Sequence, residues 1–328
     1  MFEARYYEKA QGKQTRCLLC PHNCLIADNK TGICEVRTNK NGILYTQVYG
    51  EVSGYAVDPV EKKPLYHFYP GRTLFSIGTW GCNFKCAYCQ NWNISQQQVE
   101  TTHFKKEEIV AMALREGAVG IAYTYNEPTI WHEFVHDTAV YAKARGLKNV
   151  MVTNGFINEA PLADLFPVID GMNIDLKAFT EKFYTETAKG NLAPVLKSIK
   201  TAYEAGVHIE LTNLVVPGLN DSEREIMEMT EWIAALSPEI PLHFSRYFPQ
   251  YLTTMGPTKL ETLKKANEIA SQKLKYVYIG NVAGEAVADT CCSACGKKLI
   301  KRDNYKILEN NISGGKCKFC GEKIYGHF

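Results

Sequence analysis

Three cysteines in the middle of the sequence are spaced closely enough to hold one metal cluster. Cys82, Cys86 and Cys89 follow the pattern C-x3-C-x2-C. Three thiolates so placed can bind three irons of a [4Fe–4S] cluster and leave the fourth iron without a protein ligand. S-adenosylmethionine can chelate such an iron through its amino and carboxylate groups. The spacing therefore predicts reductive cleavage of S-adenosylmethionine to a 5′-deoxyadenosyl radical, which abstracts hydrogen from a substrate.

Two other chemistries could use the same cysteines. A zinc site would need a fourth ligand, and His103 is the nearby candidate. A redox pair formed by Cys86 and Cys89 would be typical of an isolated C-x2-C motif. The third cysteine and the position of the motif after an apolar, β-rich segment favour the cluster.

A second group of cysteines lies near the end of the chain and has zinc-ribbon spacing. Each C-x2-C pair in it is followed by a glycine, Gly296 or Gly321, which lets backbone N–H groups turn toward the sulfurs. Structural zinc is the prediction, and a rubredoxin-like iron site is the alternative. Cys291 falls outside the spacing and is left unassigned. The predicted ligands are Cys292, Cys295, Cys317 and Cys320.

A third group lies near the start of the chain and is less regular. Four thiolates in a short stretch with Pro and Gly residues can bind one metal centre. Either structural zinc or an auxiliary iron–sulfur cluster would fit, and His22 could be a further ligand. The cysteines of this group are Cys17, Cys20, Cys24 and Cys34.

The segments that position these residues alternate between strand-like and helix-like patterns. This alternation predicts an α/β fold, a partial (β/α)6-type TIM-like barrel with parallel strands. We expect a Cys-rich N-terminal extension over 1–70 with a hairpin near Lys40–Gly42, a core over 71–285 and a zinc-ribbon-like module over 286–328. The predicted strands are 74–79, 120–125, 149–153, 172–176, 209–215, 242–247 and 276–279, and the predicted helices are 105–116, 130–144, 161–166, 193–204, 222–236 and 258–271.

Composition limits the cellular setting and the partners. The 328 residues are 45% hydrophobic and 22% charged, which is ordinary for a globular protein. A net charge of +2 argues against nucleic-acid partners. The sequence contains neither an apolar run that could span a membrane nor an N-terminal apolar segment typical of a signal peptide. We therefore predict a cytoplasmic protein without membrane partners, in which cysteines bind metals and do not form disulfides.

The cysteine motif, with Tyr88 before Cys89, resembles that of the radical S-adenosylmethionine (radical SAM) superfamily. Within it the chain is most similar to pyruvate formate-lyase activating enzymes. The segment from Asp58 to Gly71 resembles the radical enzyme of the AmmeMemoRadiSam system. The resemblance implies a reduced flavodoxin or ferredoxin-type electron donor and association with the two other proteins of that system.

The resemblance also implies which residues bind the cofactor. Related enzymes carry Gly-Gly-Glu-Pro where this chain has Tyr-Asn-Glu-Pro, so Asn126 replaces the second glycine. Asp175 and Lys177 project to one face of a strand, and an internal salt bridge is the alternative for them. Activating enzymes usually have a histidine where Phe248 stands, which leaves the roles of His243 and Arg246 open. The implied cofactor-binding residues are Tyr88, Asn126, Glu127, Thr153, Asn154, Asp175, Lys177 and Asn213.

Several functions remain open at this point. The leading prediction is a radical SAM enzyme acting on an unidentified substrate. The alternative within that chemistry is an activase that abstracts hydrogen from a glycine of a partner protein. The alternative from a different class is a metal-stabilised binding module without catalysis.

Overall fold

The structure is a computed structural model that describes residues 1–282 and 288–328. The predicted boundary between 285 and 286 lies outside the described residues. The N-terminal part forms two three-stranded antiparallel sheets, and the predicted hairpin is confirmed at Asn41–Gly42, where φ values of 54° and 82° suit a two-residue turn. The strands are β1 (Phe2–Glu3), β2 (Tyr7–Lys9), β3 (Thr15–Cys17), β4 (Leu25–Ile26), β5 (Arg37–Lys40), β6 (Ile43–Thr46) and β7 (Glu51–Val52).

An eight-stranded sheet forms the centre of the molecule. Its strands are β8 (Gly54–Pro59), β9 (Thr73–Gly78), β11 (Gly120–Tyr123), β12 (Lys148–Thr153), β13 (Gly171–Asp175), β14 (His208–Val215), β15 (Leu242–Arg246) and β16 (Val277–Gly280), while β10 (Thr102–His103) pairs with β7. The spatial order is β16-β15-β14-β13-β12-β11-β9-β8. Strands β9 to β16 in this sheet are parallel, and β8 is antiparallel to β9. Strand β8 belongs to the predicted N-terminal segment, yet it pairs with the core.

Helices follow six of the parallel strands, which confirms the predicted (β/α)6 pattern. Strands such as β11 are buried along their whole length, as expected when both faces of a parallel sheet are covered. No described helix has the length and apolar character needed to cross a membrane. The helices are α2 (Lys106–Arg115), α3 (His132–Lys143), α4 (Glu159–Leu165), α6 (Leu192–Glu204), α7 (Glu223–Leu236) and α8 (Leu260–Ala270), with two short ones, α1 (Trp92–Ser95) and α5 (Glu181–Phe183).

The sheet curls into an open barrel whose two edges are bridged by the segment after β8. His67 of this segment contacts the hydroxyl of Tyr278 on β16 through its Nε2 atom at 2.6 Å. The backbone N–H groups of Tyr66 and His67 donate to the buried carboxylate of Glu210 on β14 at 2.9 and 2.7 Å. The segment from Asp58 to Gly71, whose sequence resembles that of one radical enzyme, therefore closes the interior of the barrel.

The C-terminal module packs against this closure. Its strands are β17 (Thr290–Cys291), β18 (Lys298–Asp303), β19 (Lys306–Asn310), β20 (Ile312–Ser313) and β21 (Lys316–Cys317). Buried Arg302 of β18 donates to the backbone oxygen of Tyr66 at 2.8 Å and stacks over its ring. Tyr276 and Tyr278 share an apolar cluster with Cys292 and Cys317.

Candidate metal centre and cofactor site

The loop with the three central cysteines follows the carboxyl end of β9. It turns at Gly81, whose φ of 89° is in the left-handed region. The Gly81 N–H donates to the backbone oxygen of Ile94 at 2.8 Å. The backbone N–H of Phe84 lies 3.3 Å from the Cys82 sulfur, and the Cys89 sulfur lies 3.0 Å from the hydroxyl of Ser95. Such polar hydrogens stabilise charged sulfur, so the loop fits a thiolate-bound cluster.

The residue needed for a zinc site at this loop is engaged elsewhere. His103 lies in β10 with an exposed side chain, and its Nδ1 atom is 3.0 Å from a carboxylate oxygen of Glu51. Cys86 and Cys89 are both free cysteines. The structure therefore supports neither the zinc alternative through His103 nor a disulfide between Cys86 and Cys89.

Asn126 holds the start of the cysteine loop in place. Its carbonyl oxygen accepts the Thr79 N–H at 3.0 Å, and its amide nitrogen donates to the Gly81 oxygen at 2.9 Å. These bonds fix the entry to the loop from the neighbouring strand end. Sequence reasoning had suggested a cofactor contact for Asn126 and had missed this positioning role.

Glu127, which follows β11, is hydrogen-bonded to the end of β12 beside Cys82. Its side chain is buried and accepts three hydrogen bonds, from Thr129 N at 2.9 Å, Thr153 Oγ1 at 2.6 Å and Asn154 N at 2.8 Å. Burial raises the pKa of the Glu127 carboxyl, and these hydrogen bonds oppose the rise. The structure thus brings together three of the predicted cofactor-binding residues.

Asn154 extends this network to the loop itself. Its amide nitrogen donates to the side-chain oxygen of Asn83 at 2.8 Å and lies 3.8 Å from the Cys82 sulfur. Its oxygen accepts the Phe156 N–H at 2.9 Å. The strand end at Asn154 and the cysteine loop therefore form one connected polar unit.

Asp175 and Lys177 form the salt bridge that the sequence left as an alternative. The ammonium lies 2.9 Å from a carboxylate oxygen. Burial alone would lower the pKa of Lys177, but the negative charge and hydrogen bond of Asp175, together with Tyr88 and Cys86, raise it well above its ordinary value. Tyr88 and Cys86 also act electrostatically on Lys177, so the pair lies beside the cysteine loop. A charged pair at this place can bind a polar ligand.

Asn213 on β14 has an unused acceptor in the interior. Its amide nitrogen donates to the Leu176 oxygen at 2.8 Å. Its buried Oδ1 atom has no hydrogen-bond partner among the described groups. Buried polar atoms are rarely left unpaired, so this oxygen fits a donor supplied by a bound molecule.

The other polar candidates on β15 are used by the fold. His243 Nε2 lies 2.7 Å from the buried carboxylate of Glu210, so this histidine has its polar partner within the core. Arg246 Nε donates to the Thr258 oxygen at 2.8 Å, and its guanidinium lies over the ring of Phe248. Neither residue is attached to the cysteine loop by these contacts.

Tyr125 is a functional candidate that the sequence reasoning missed. Its φ of 74° is in the left-handed region, where a tyrosine is strained, and it stands at the first glycine of the Gly-Gly-Glu-Pro pattern. Its hydroxyl donates to the buried carboxylate of Asp58 at 2.8 Å, and its carbonyl accepts from Asn91 at 2.7 Å. These bonds hold the strained turn that presents Asn126. The sequence signal that could have identified Tyr125 is a tyrosine at a position where related enzymes have glycine.

We expect Tyr125→Phe to destabilise the fold by about 1.5–3 kcal/mol, because the hydrogen bond it removes goes to a charged group. The free energy of unfolding in urea, measured anaerobically, gives the result. Tyr305→Phe, at an exposed position of the C-terminal module, is the matched control. Equal stability of the two variants would show that the bond to Asp58 does not hold the turn.

The C-terminal cysteines are arranged as a site that could hold a metal ion. Their four sulfurs all lie within 4.8 Å of one another. Gly296 and Gly321 have φ values of 70° and 80°, and their N–H groups close tight turns by donating to the backbone oxygens of Cys292 and Cys317 at 2.9 Å. Cys291 is exposed and outside the group. The four cysteines predicted from the spacing therefore lie close enough to share one metal ion.

The N-terminal cysteines surround one small cavity. Apolar side chains, among them Ile26 and Ile130, complete its wall. Cys17 and Cys34 are buried, and Cys20 and Cys24 are partly buried. The structure thus brings the predicted residues together around a common space.

Comparisons with known proteins agree with this site. The family model described as the radical SAM superfamily matches residues 76–230, which include the cysteine loop and the carboxyl ends of β9, β11, β12, β13 and β14. Uncharacterized protein MJ0808 of Methanocaldococcus jannaschii is 45% identical over 99% of this chain and 99% of its own length. The benzylsuccinate synthase activating enzyme of Thauera aromatica is 24% identical over 67% of this chain and 70% of its own length.

A solved structure shares the fold. The crystal structure of Streptococcus suis SuiB bound to S-adenosylmethionine matches with a TM-score of 0.51 and 15% identity, over 68% of this chain and 53% of that one. At this identity the match concerns the fold alone. It agrees with the open barrel seen here.

Proposed function

This chain belongs to the radical SAM superfamily, and we propose that it holds a [4Fe–4S] cluster on Cys82, Cys86 and Cys89 and cleaves S-adenosylmethionine reductively. The observation that carries the proposal is a three-cysteine loop at the carboxyl end of β9, surrounded by polar strand ends. When bound, the cluster supplies the electron that splits S-adenosylmethionine into methionine and a 5′-deoxyadenosyl radical, which takes hydrogen from a substrate.

We assign the surrounding residues to binding and orientation of S-adenosylmethionine. Glu127 provides a buried carboxylate for the ammonium group of the methionine part, next to Asn154. Asp175 and Lys177 offer opposite charges to the ribose and the carboxylate. The free oxygen of Asn213 accepts a hydrogen bond from the adenosine part. Tyr88 and Thr153 complete the wall of this site.

Anaerobic reconstitution followed by product analysis tests this function. We expect about four irons and four sulfides at the loop and formation of 5′-deoxyadenosine when S-adenosylmethionine and dithionite are added. A binding module without catalysis would retain metal but form no 5′-deoxyadenosine, and that result would contradict the proposal.

A narrower candidate function is activation of a partner protein. The similarity to the benzylsuccinate synthase activating enzyme over two thirds of this chain favours it. The radical would then abstract hydrogen from a glycine of the partner, with electrons from a reduced flavodoxin or ferredoxin-type protein. The two other proteins of the AmmeMemoRadiSam system are the first partners to test. An organic radical on the partner, with deuterium transferred from labelled glycine into 5′-deoxyadenosine, is the expected result, whereas transfer from a small molecule would contradict it.

We also propose that the C-terminal group binds structural zinc. Four thiolates around one zinc ion at about 2.3 Å place their sulfurs roughly 3.8 Å apart, and Cys292–Cys320 and Cys295–Cys317 are separated by 3.6 and 3.8 Å. A rubredoxin-like iron site would give iron in place of zinc on elemental analysis.

We expect Cys317→Ser to lose about one zinc per chain, because a closed site needs its four ligands. Mass spectrometry of metals in the purified protein measures this loss. Cys291→Ser changes an adjacent but exposed cysteine outside the group and should keep the zinc. Equal zinc content in the two variants would contradict the assignment.

A further inference from the structure

The three cysteine groups differ in how closely their sulfurs approach. Among the described residues, only the C-terminal group brings three or more His, Cys, Asp or Glu ligand atoms within 4.8 Å of one another. One zinc ion needs its thiolates closer than this, at roughly 3.8 Å. In a cubane each thiolate binds a different iron, so the sulfurs stand farther apart. Neither the four N-terminal cysteines nor the group of Cys82, Cys86 and Cys89 meets this criterion among the described residues.

The surroundings of the N-terminal cavity also suit an iron–sulfur cluster. Its wall includes the apolar side chains of Ile26 and Ile130, and Cys17 and Cys34 are buried. The buried guanidinium of Arg37 lies 3.5 Å from the Cys17 sulfur and pairs with buried Glu133. Burial and hydrogen bonds to the sulfurs are the means by which proteins set the redox potential of a cluster.

The cavity adjoins the loop of the central cysteines at two points. His22, which lies between Cys20 and Cys24, contacts the backbone oxygen of Asn83 through its Nε2 atom at 2.7 Å. On the other side, a Cβ atom at Gly81 would lie 2.8 Å from the backbone oxygen of Cys34. Asn83 and Gly81 flank Cys82, so the two cysteine groups are joined by direct packing.

We propose that Cys17, Cys20, Cys24 and Cys34 hold an iron–sulfur cluster, not zinc, which exchanges electrons with the cluster on the central loop. One electron enters from a reduced flavodoxin or ferredoxin-type protein and one electron leaves to the central cluster, without bond formation or proton transfer. The cluster assignment stands on the N-terminal geometry alone, whereas the electron exchange rests on the proposed function.

The metal content of a variant without the central ligands tests the assignment. Cys82→Ala, Cys86→Ala and Cys89→Ala are combined and the protein is reconstituted anaerobically. We expect about four irons and four sulfides together with about one zinc. A chain with no iron and about two zincs would overturn the inference.

The intact protein provides a test that does not depend on folding of that variant. About eight irons per chain support two cubanes, whereas about four irons with about two zincs overturn the assignment. If the intact protein and the triple variant both hold four irons, the N-terminal cluster stands and the proposed central cluster fails. The two hypotheses are therefore distinguishable.

Electron paramagnetic resonance tests the electron exchange between the two sites. In the intact protein reduced with dithionite, we expect signals split by interaction between two neighbouring clusters. Cys24→Ser should lose the splitting and retain the signal of the central cluster. Two unsplit, independent signals in the intact protein would contradict close coupling between the clusters.

Discussion

Replacement of Cys86 by alanine should abolish formation of 5′-deoxyadenosine from S-adenosylmethionine. Cys86 is buried in the loop after β9 and is one of three proposed ligands of the central cluster. With two thiolates left, the cluster would lose one of its three protein ligands, and reduction of the sulfonium would stop. Chromatography of the products after anaerobic incubation with dithionite measures the loss.

Cys291→Ala is the matched control for this experiment. Cys291 is also a free cysteine, but it is exposed and belongs to none of the three groups. The control should form 5′-deoxyadenosine at the rate of the unchanged protein. If Cys86→Ala did the same, a three-cysteine radical SAM site would be excluded for this loop.

Glu210→Ala should destabilise the protein by about 3–5 kcal/mol, because it removes a buried anion and leaves its donors unpaired. Glu210 accepts hydrogen bonds from two backbone N–H groups and is bonded to His208 and His243 at 3.1 and 2.7 Å. These bonds fasten the segment after β8 to the interior of the barrel. The free energy of unfolding in urea measures the loss.

Glu210→Gln keeps the shape of the side chain, so it should lose less stability than Glu210→Ala. Glu239→Gln is the surface control, since Glu239 forms an exposed ion pair with Lys275. Exposed pairs contribute about 0–1 kcal/mol. A Glu210→Ala variant no less stable than Glu239→Gln would show that the buried network does not hold the barrel together.

The contribution of Glu210 to stability should depend on pH. Burial by itself would raise the pKa of the Glu210 carboxyl, but hydrogen bonds from His208 and His243 hold it well below its ordinary 4.5. A lowered pKa stabilises the fold above pH 4.5, and this stabilisation is lost as the pH falls toward the pKa of the folded state.

Comparison of the unchanged protein with Glu210→Gln isolates this effect. The difference in unfolding free energy should narrow as the pH falls below 4.5. Both proteins carry the same metal sites, so the acid lability of those sites cancels in the difference. A difference in unfolding free energy that widens on acidification would show that folding does not lower the pKa of Glu210, and would contradict the prediction.

The sequence by itself determined the spacing of the cysteines and the order of the elements. The spacing of Cys82, Cys86 and Cys89 depends only on local chain length, and so do the two C-x2-C pairs of the C-terminal group. The predicted strands and helices of the core appear in the structure with bounds shifted by at most two residues. Local patterns carry this information because hydrophobic periodicity and ligand spacing are properties of neighbouring residues.

Only the tertiary structure decided which polar groups meet. Asn126 reaches the backbone at Thr79 and Gly81, and Tyr125 reaches Asp58, across strands that are distant in sequence. The spacing of the N-terminal sulfurs likewise depends on how separate strands and loops pack. Such contacts result from the curling of the sheet and from hydrogen bonds that buried groups must satisfy, and no local pattern in the sequence encodes either.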